Sequence, residues 1–349
     1  PLAEAIAQRL GARAAGVYPK AVMHVPVETA TAAIAEAQRV HADCALAVGG
    51  GSTTGLGKAI ALQSGMPILA IPTTYAGSEM TPIWGMTENG LKKTGRDARV
   101  LPRTVIYDPE LTVSLPASLT VTSGMNAIAH AAEGLYAQDS NPVMDLMAEE
   151  GIRALASAMP TLRANPADID ARGDALYGAW LCGSVLGNVG MALHHKLCHT
   201  LGGTLNLPHA EAHTVVLPHA IAFNAKAAPE SMKKISRALQ GAPAALGLYQ
   251  LAKDNGAPTA LRDLGMTADD IDRVANIAVQ NPYWNPRPIV PEALPALREA
   301  LAGTPITAVG GEAALVEAAS RPVDLTVAAI VGCAGLAPTM AAIEQGRTV

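Results

Sequence analysis

The histidines are unevenly spread: His194, His195, His199, His209, His213 and His219 all fall within one short region of the chain. Asn126 and His130 are four residues apart in a segment of helical periodicity, so they share a face. His195 and His199 repeat that spacing in a second helical segment, and His209 follows ten residues later, past Gly202 and Gly203. Two such pairs from separate helices plus one further histidine are the donor pattern of a first-row divalent metal site. The charge inventory argues the other way. Three neutral imidazoles and an amide supply no anionic ligand, and an amide oxygen is a weaker donor than a carboxylate. Glu133 lies one turn beyond His130 and reads as a helix-packing or surface residue. A metal-free pocket in which a histidine delivers a proton is the simpler chemistry. His194, His213 and His219 read as histidines that cap helices or satisfy buried carbonyls.

A second candidate is the run Ala47-Val-Gly-Gly-Gly-Ser-Thr-Thr-Gly-Leu-Gly-Lys58, where an apolar strand ends in glycines that open a helix. Glycine lets backbone approach a phosphate, and the helix N-terminus offers free N–H groups and a favourable dipole. Ser52 and Thr53 add hydroxyl donors. The run is neither a Walker A loop nor a strict Rossmann fingerprint: Ser52 stands at the first glycine position of the former, and Lys58 is followed by Ala59. Lys58 reads as a helix-surface residue, and a tight strand-to-helix turn without a ligand is the plain alternative.

These residues need elements to hold them. Up to about residue 118, helical and strand-like segments alternate, the pattern of a parallel α/β sheet. Leu2–Leu10 and Thr31–His41 read as helices, Cys44–Val48, Pro67–Ile71 and Arg103–Tyr107 as strands, and Leu56–Gln63 as the helix after the glycines. Residues 119–302 are Ala- and Leu-rich with a period near 3.6 and read as an all-α domain, broken near its end by Pro286, Pro288 and Pro291. Residues 303–349 return to α/β character, with a strand over Leu325–Val331 and a helix over Pro338–Gln345. Because a helix comes before any strand, the first strand unit of the nucleotide domain is expected to be absent from this sequence.

The bulk composition excludes several classes. Half of the 349 residues are hydrophobic and 16% charged, so the chain is globular rather than disordered. A net charge of -5 without basic runs argues against nucleic acid, and no apolar stretch is long enough for a membrane span. The four cysteines form no CxxC pair, and the N-terminus carries no secretory pattern, so the expected location is cytoplasmic.

Several motifs together carry a resemblance. Gly49-Gly-Gly-Ser52, Pro72-Thr-Thr-Tyr-Ala-Gly-Ser-Glu79, Ser123-Gly-Met-Asn-Ala-Ile-Ala-His130 and His195-Lys-Leu-Cys-His-Thr-Leu-Gly-Gly203 with Pro208-His209 resemble the iron-dependent alcohol dehydrogenase superfamily. Tyr75-Ala-Gly-Ser-Glu-Met-Thr-Pro82, His194-His-Lys-Leu-Cys-His199 and Asn281-Pro-Tyr-Trp-Asn-Pro-Arg-Pro288 are similar to its maleylacetate reductase branch. The resemblance implies an α/β nucleotide-binding domain joined to an all-α domain, a dehydroquinate synthase-like fold. It also implies NADH- or NADPH-dependent reduction of maleylacetate, a small dicarboxylate, to 3-oxoadipate in bacterial aromatic degradation, by a homodimer. Metal-dependent members have Asp at the position of Asn126, and histidines at those of His130, His195 and His209. The maleylacetate reductases dispense with the metal, so no metal is expected and these four residues form a vestigial site.

Carried over, Gly50, Gly51 and Ser52 would hold the cofactor pyrophosphate, Thr73, Thr74 and Ser78 would border the cofactor, and Lys92 or Lys93 would reach a ribose. His199 and Tyr283 are the candidates for proton donor and orienter, with His195 beside them, and Lys196 for the cation facing a substrate carboxylate. Tyr75, Asn126, His130 and His209 would line the substrate pocket. The tail departs from the family: residues 304–349 resemble part of the NADPH domain of 1-deoxy-xylulose-5-phosphate reductoisomerase, without its catalytic acidic residues or glycine loop, so that activity is not transferred. The competing readings are a metal-dependent alcohol or aldehyde reductase with Asn126 as a neutral ligand, and a catalytically silent mosaic with an incomplete cofactor site.

Overall fold

The computed structural model describes residues 2–88, 91–280 and 282–289. The expected tail elements and Asn281 lie outside the described residues.

Helices α1 (Leu2–Leu10) and α2 (Val27–Arg39) precede strand β1 (Ala45–Gly49). Helix α3 (Gly51–Ser64) connects β1 to β2 (Ile68–Pro72), and the two strands pair in parallel with Ala47 opposite Ala70. Strands β3 (Ile83–Glu88) and β4 (Leu91–Arg96) form an antiparallel hairpin that the sequence reading did not anticipate. Strand β5 (Thr104–Val105) completes the order β1-β2-β5 in the parallel sheet. Helix α3 starts at Gly51 rather than Leu56, because its first turn, Gly-Ser-Thr-Thr, has no apolar residue for periodicity to register.

The chain then becomes helical through α4 (Ala117–Gly134), α5 (Pro142–Ala164), α6 (Ile169–Asn188), α7 (Leu193–Leu205), α8 (His209–Asn224), α9 (Pro229–Ala238), α10 (Ala244–Asp254) and α11 (Ala268–Gln280). Helix α4 is the axis, with every residue from Thr120 to Gly134 buried. Its Met125 and Ile128 join Ile152 and Leu155 of α5, Leu176 of α6 and Leu217 of α8 in one core. A second core joins Leu197 and Leu201 of α7 to Val215 and Phe223 of α8 and Val274 of α11. Burial of such side chains contributes about 1.5–3 kcal/mol each, enough to fix how α7 and α8 lie against α4. No single helix among the described residues is long and apolar enough to cross a membrane.

Small residues join the two parts. A Cβ on Gly183 of α6 would come within 2.9 Å of Gly77 Cα, and one on Gly187 within 2.5 Å of the Met80 carbonyl oxygen. The loop after β2 therefore lies directly on α6. Lys58, expected on a surface, is buried in this region, its ammonium donating to Thr81 O, Thr81 Oγ1 and Ile83 O at 2.7–2.8 Å. The correction has a simple cause: the β3–β4 hairpin covers the face of α3 that periodicity had assigned to solvent.

Candidate active site

The glycine turn lies at the carboxyl ends of β1 and β2, where open α/β sheets bind their ligands. Gly49 has φ +149, and a Cβ there would sit 2.5 Å from Thr53 Oγ1. A Cβ on Gly50 would sit 2.9 Å from Thr74 Cγ2. The first turn of α3 has no side-chain cap, so its N–H groups face out of the cradle that these glycines open. The N–H of Thr73 donates to the Gly49 carbonyl at 3.0 Å, tying the loop that carries Thr73 and Thr74 to the turn carrying Gly50, Gly51 and Ser52. Ser78 opens a short 3-10 turn on the same loop. Lys92 and Lys93 belong to β4, away from this turn in sequence but on the hairpin that packs over α3. Lys93 is exposed and ion-paired with Glu88.

Tyr75 sits differently from expectation. Rather than lining a pocket it is buried, its hydroxyl accepting a 3.0 Å bond from Arg172, whose guanidinium also donates to Thr120 Oγ1 and to the carbonyls of Pro166 and Leu115. Arg172 is fully buried and needs every available acceptor, which explains why the hydroxyl turns inward.

The second half of the site is built on α4, α7 and α8. Asn126, His130 and His195 are buried and near one another, with the rings of His130 and His195 5.1 Å apart. Each keeps a buried polar atom without a protein partner: Asn126 Oδ1, His130 Nδ1 and His195 Nε2. Burial, reinforced by His195 and the neighbouring histidines, holds the His130 imidazole well below the usual histidine range and hence neutral.

Glu133 is the residue that sequence reasoning placed wrongly. It is neither a surface nor a plain packing residue: it is fully buried and accepts from the N–H groups of Ala192 at 2.8 Å, His194 at 2.7 Å and His195 at 3.3 Å. These groups surround the start of α7, so one carboxylate of α4 caps another helix and meets its dipole. The same carboxylate lies 2.7 Å from His195 Nδ1. A carboxylate only accepts, so Nδ1 carries the proton and Nε2 keeps its lone pair, buried and without a protein partner. The signal in the sequence was a lone acid among Ala131, Ala132 and Gly134, with no charged neighbour to pair it.

His199 lies one turn on, at the exposed edge of α7, with Nδ1 3.0 Å from the Tyr283 hydroxyl. Tyr283 is 38% exposed, and burial together with the field of Glu133 raises its phenol above the ordinary value, so it stays protonated at neutral pH. The ammonium of Lys196 lies 5.8 Å from the centre of the Tyr283 ring. Lys196 thus faces the same side as the His199–Tyr283 pair. His209, at the start of α8, is half-buried and stacks on His199 with ring centres 6.5 Å apart.

The segment bearing Tyr283 is fastened two residues later. Asn285 and Asn224 exchange amide bonds at 2.7 and 2.9 Å, Asn285 Oδ1 accepts from Leu193 N, and Arg287 covers the Phe223 ring at 4.1 Å while donating to its carbonyl. Asn285 was a second omission. His194 and His213 were expected to cap helices or satisfy carbonyls, but they bond to each other, His194 Nε2 to His213 Nδ1 at 2.9 Å.

Comparison with known proteins agrees with this architecture. Residues 120–301 match the C-terminal part of the Fe-containing alcohol dehydrogenase family, and residues 1–109 match iron-containing alcohol dehydrogenase. Residues 261–349 match 1-deoxy-D-xylulose 5-phosphate reductoisomerase, overlapping the first match over 261–301. A maleylacetate reductase from Burkholderia cepacia is 65% identical over 297 residues, covering 85% of this chain and 84% of that protein. The crystal structure of maleylacetate reductase from Agrobacterium tumefaciens superposes with a TM-score of 0.82 at 55% identity, covering 85% of this chain and 84% of that one. Sulfoacetaldehyde reductase from Bifidobacterium kashiwanohense, solved with NAD+, gives a TM-score of 0.78 at 25% identity, over 87% and 89% of the two chains.

Proposed function

The chain belongs to the iron-containing alcohol dehydrogenase family, and from that premise we propose that it reduces maleylacetate to 3-oxoadipate with NADH or NADPH and without a metal. The observation that carries this reading is the His199–Tyr283 pair, with Lys196 beside it, next to a pocket whose potential metal position holds Asn126. The identity to maleylacetate reductases over most of the chain supports the choice of substrate.

The iron that the family name implies does not fit the donor set. Asn126, His130, His195 and His209 are all neutral ligands, and burial of His130 disfavours further charge. Among the described residues, the His, Cys, Asp or Glu donors gathered within 4.8 Å of one another are those of His194, Cys198 and His213, a different set. No step below passes through a metal.

A dinucleotide does fit the glycine cradle, where Gly50, Gly51 and Ser52 at the start of α3 would hold its pyrophosphate and Thr74 its flank. When bound, the nicotinamide supplies a hydride. Maleylacetate has an alkene conjugated to a ketone; hydride at the alkene carbon β to that ketone leaves an enolate, and a proton must then reach the adjacent carbon. Tyr283 and His199 share a proton at 3.0 Å and form the donor at the open edge of the pocket. Lys196 pairs with a terminal carboxylate. His195 is held as an acceptor by Glu133, and its Nε2 and the Asn126 amide orient the substrate or an ordered water.

The test is NADH and NADPH oxidation with maleylacetate against a panel of simple aldehydes, with and without exhaustive chelation. Turnover of maleylacetate that survives chelation is expected. Activity lost to chelator and restored by iron, or seen with the aldehydes alone, would overturn the proposal.

A further inference from the structure

We propose that His194, Cys198 and His213 form a buried site for a soft divalent ion, zinc by preference, that clasps α7 to α8. The three donor atoms lie within 4.8 Å of one another, and all three residues are buried. His194 Nε2 is 2.9 Å from His213 Nδ1 and 3.7 Å from Cys198 Sγ. Zinc bonds of about 2.0–2.1 Å to nitrogen and about 2.3 Å to sulfur place neighbouring tetrahedral donors roughly 3.3–3.6 Å apart. The sulfur is close to that spacing from His194 Nε2, and the two imidazoles need part by only a few tenths of an ångström.

The ligand types also suit. Two imidazoles and a thiolate are the donors that select zinc over magnesium or calcium. Burial and the nearby Glu133 carboxylate hold Cys198 as a thiol in the metal-free state. Binding therefore breaks the S–H bond, forms the sulfur–metal bond and releases one proton to solvent. The ion's two positive charges are then balanced by the thiolate and by Glu133, whose partners in the metal-free state are backbone N–H groups, the His195 ring and the Tyr136 hydroxyl.

This site uses none of the atoms of Asn126, His130, His195 or His209. It adjoins them at the α7–α8 contact, with the His213 ring 4.3 Å from that of His209 and 5.0 Å from that of His195. Occupancy would fix the separation of those two helices and hence the shape of the pocket. The inference does not depend on the proposed substrate, because its readout is metal binding.

The full chain, produced with zinc or cobalt in the growth medium because the site is enclosed, is expected to hold one equivalent of metal. The cobalt form should show a near-ultraviolet thiolate-to-metal band. Cys198→Ser should abolish the near-ultraviolet band and weaken binding at least tenfold, and His213→Asn should weaken it similarly. Asn126→Ala and His209→Ala should leave the band in place. Zinc-edge X-ray absorption on the unmutated chain needs no variant to fold, and should show one sulfur and two imidazoles. A shell of nitrogen and oxygen alone, equal binding by Cys198→Ser, or loss of the ion in His209→Ala would place it in the outer pocket and overturn the proposal. No retained metal would overturn it as well.

Discussion

Glu133→Gln tests the link between the buried carboxylate and the geometry of α7. Oε2 accepts from Ala192 N, His195 N and His195 Nδ1, while Oε1 accepts from His194 N at 2.7 Å and from the Tyr136 hydroxyl at 3.5 Å. Glutamine fills the same volume but turns one oxygen into a donor. The better rotamer keeps oxygen at the Oε2 position, retains those three bonds, and sets an amide N–H against the N–H of His194. One charge-assisted bond is lost, worth about 1.5–3 kcal/mol, and a buried donor is left unsatisfied, at about 1–3 kcal/mol. The remaining three bonds become neutral and weaker. A loss of about 3–5 kcal/mol follows, a large part of the roughly 5–15 kcal/mol of a typical fold. Urea denaturation monitored by circular dichroism measures it. Nitrogen-15 spectra of the histidines supply a readout that a merely structural role would not move: the proton should stay on Nδ1 of His195 in the glutamine variant and lose that preference in Glu133→Leu. A loss below about 1 kcal/mol in the glutamine variant, or an unchanged His195 tautomer with leucine, would refute the reasoning.

Tyr283→Phe removes the hydroxyl from His199 while sparing a half-exposed ring; kcat for maleylacetate should fall about 10²-fold with cofactor affinity unchanged, as measured by steady-state kinetics and nicotinamide fluorescence. Gly50→Ala drives a Cβ to 2.9 Å from Thr74 Cγ2 in the cradle, and should raise the Kd for NADH about tenfold or more in the same titration while leaving unfolding nearly unchanged. Burial lowers the Lys58 amine to about 7. The unfolded chain therefore binds more protons than the folded one between that value and the ordinary lysine value, and the Lys58 contribution to stability rises with pH across this window. The slope is up to about 1.4 kcal/mol per pH unit, and urea midpoints from pH 7 to 10 should show Lys58→Met flattening it.

The elements that could be read from the sequence are those whose local pattern agrees with their tertiary setting. Leu2–Leu10 is a helix with the expected bounds, and the strands before and after the glycine turn fall within a residue or so of expectation, because short apolar runs bounded by glycine and proline leave few alternatives. The β3–β4 hairpin was not visible. Leu91-Lys-Lys-Thr-Gly-Arg96 has the charge of an exposed loop, and its strand character comes from pairing with Trp84 and Met86 rather than from its own residues. Lys58 failed for a related reason: a lysine is read as a surface residue unless something supplies acceptors, and the carbonyls of Thr81 and Ile83 that do so lie more than twenty residues away in sequence.

The site divides along the same line. His195 and His199 are four apart in one helix, so their shared face followed from spacing alone, whereas Lys196 and Tyr283 joined them only through motif resemblance. Glu133 was set aside because its position was compared with His130 along one helix, whereas its partners begin another helix fifty-nine residues later. A carboxylate does enter the pocket, but from behind His195, where it fixes a tautomer and caps α7 instead of facing the donors of Asn126 and His130. That carboxylate, behind the histidine, keeps the His195 ring oriented. It also leaves a buried negative charge beside Cys198, His194 and His213, so any affinity for a cation is moved one layer inward, from the pocket to the contact between α7 and α8.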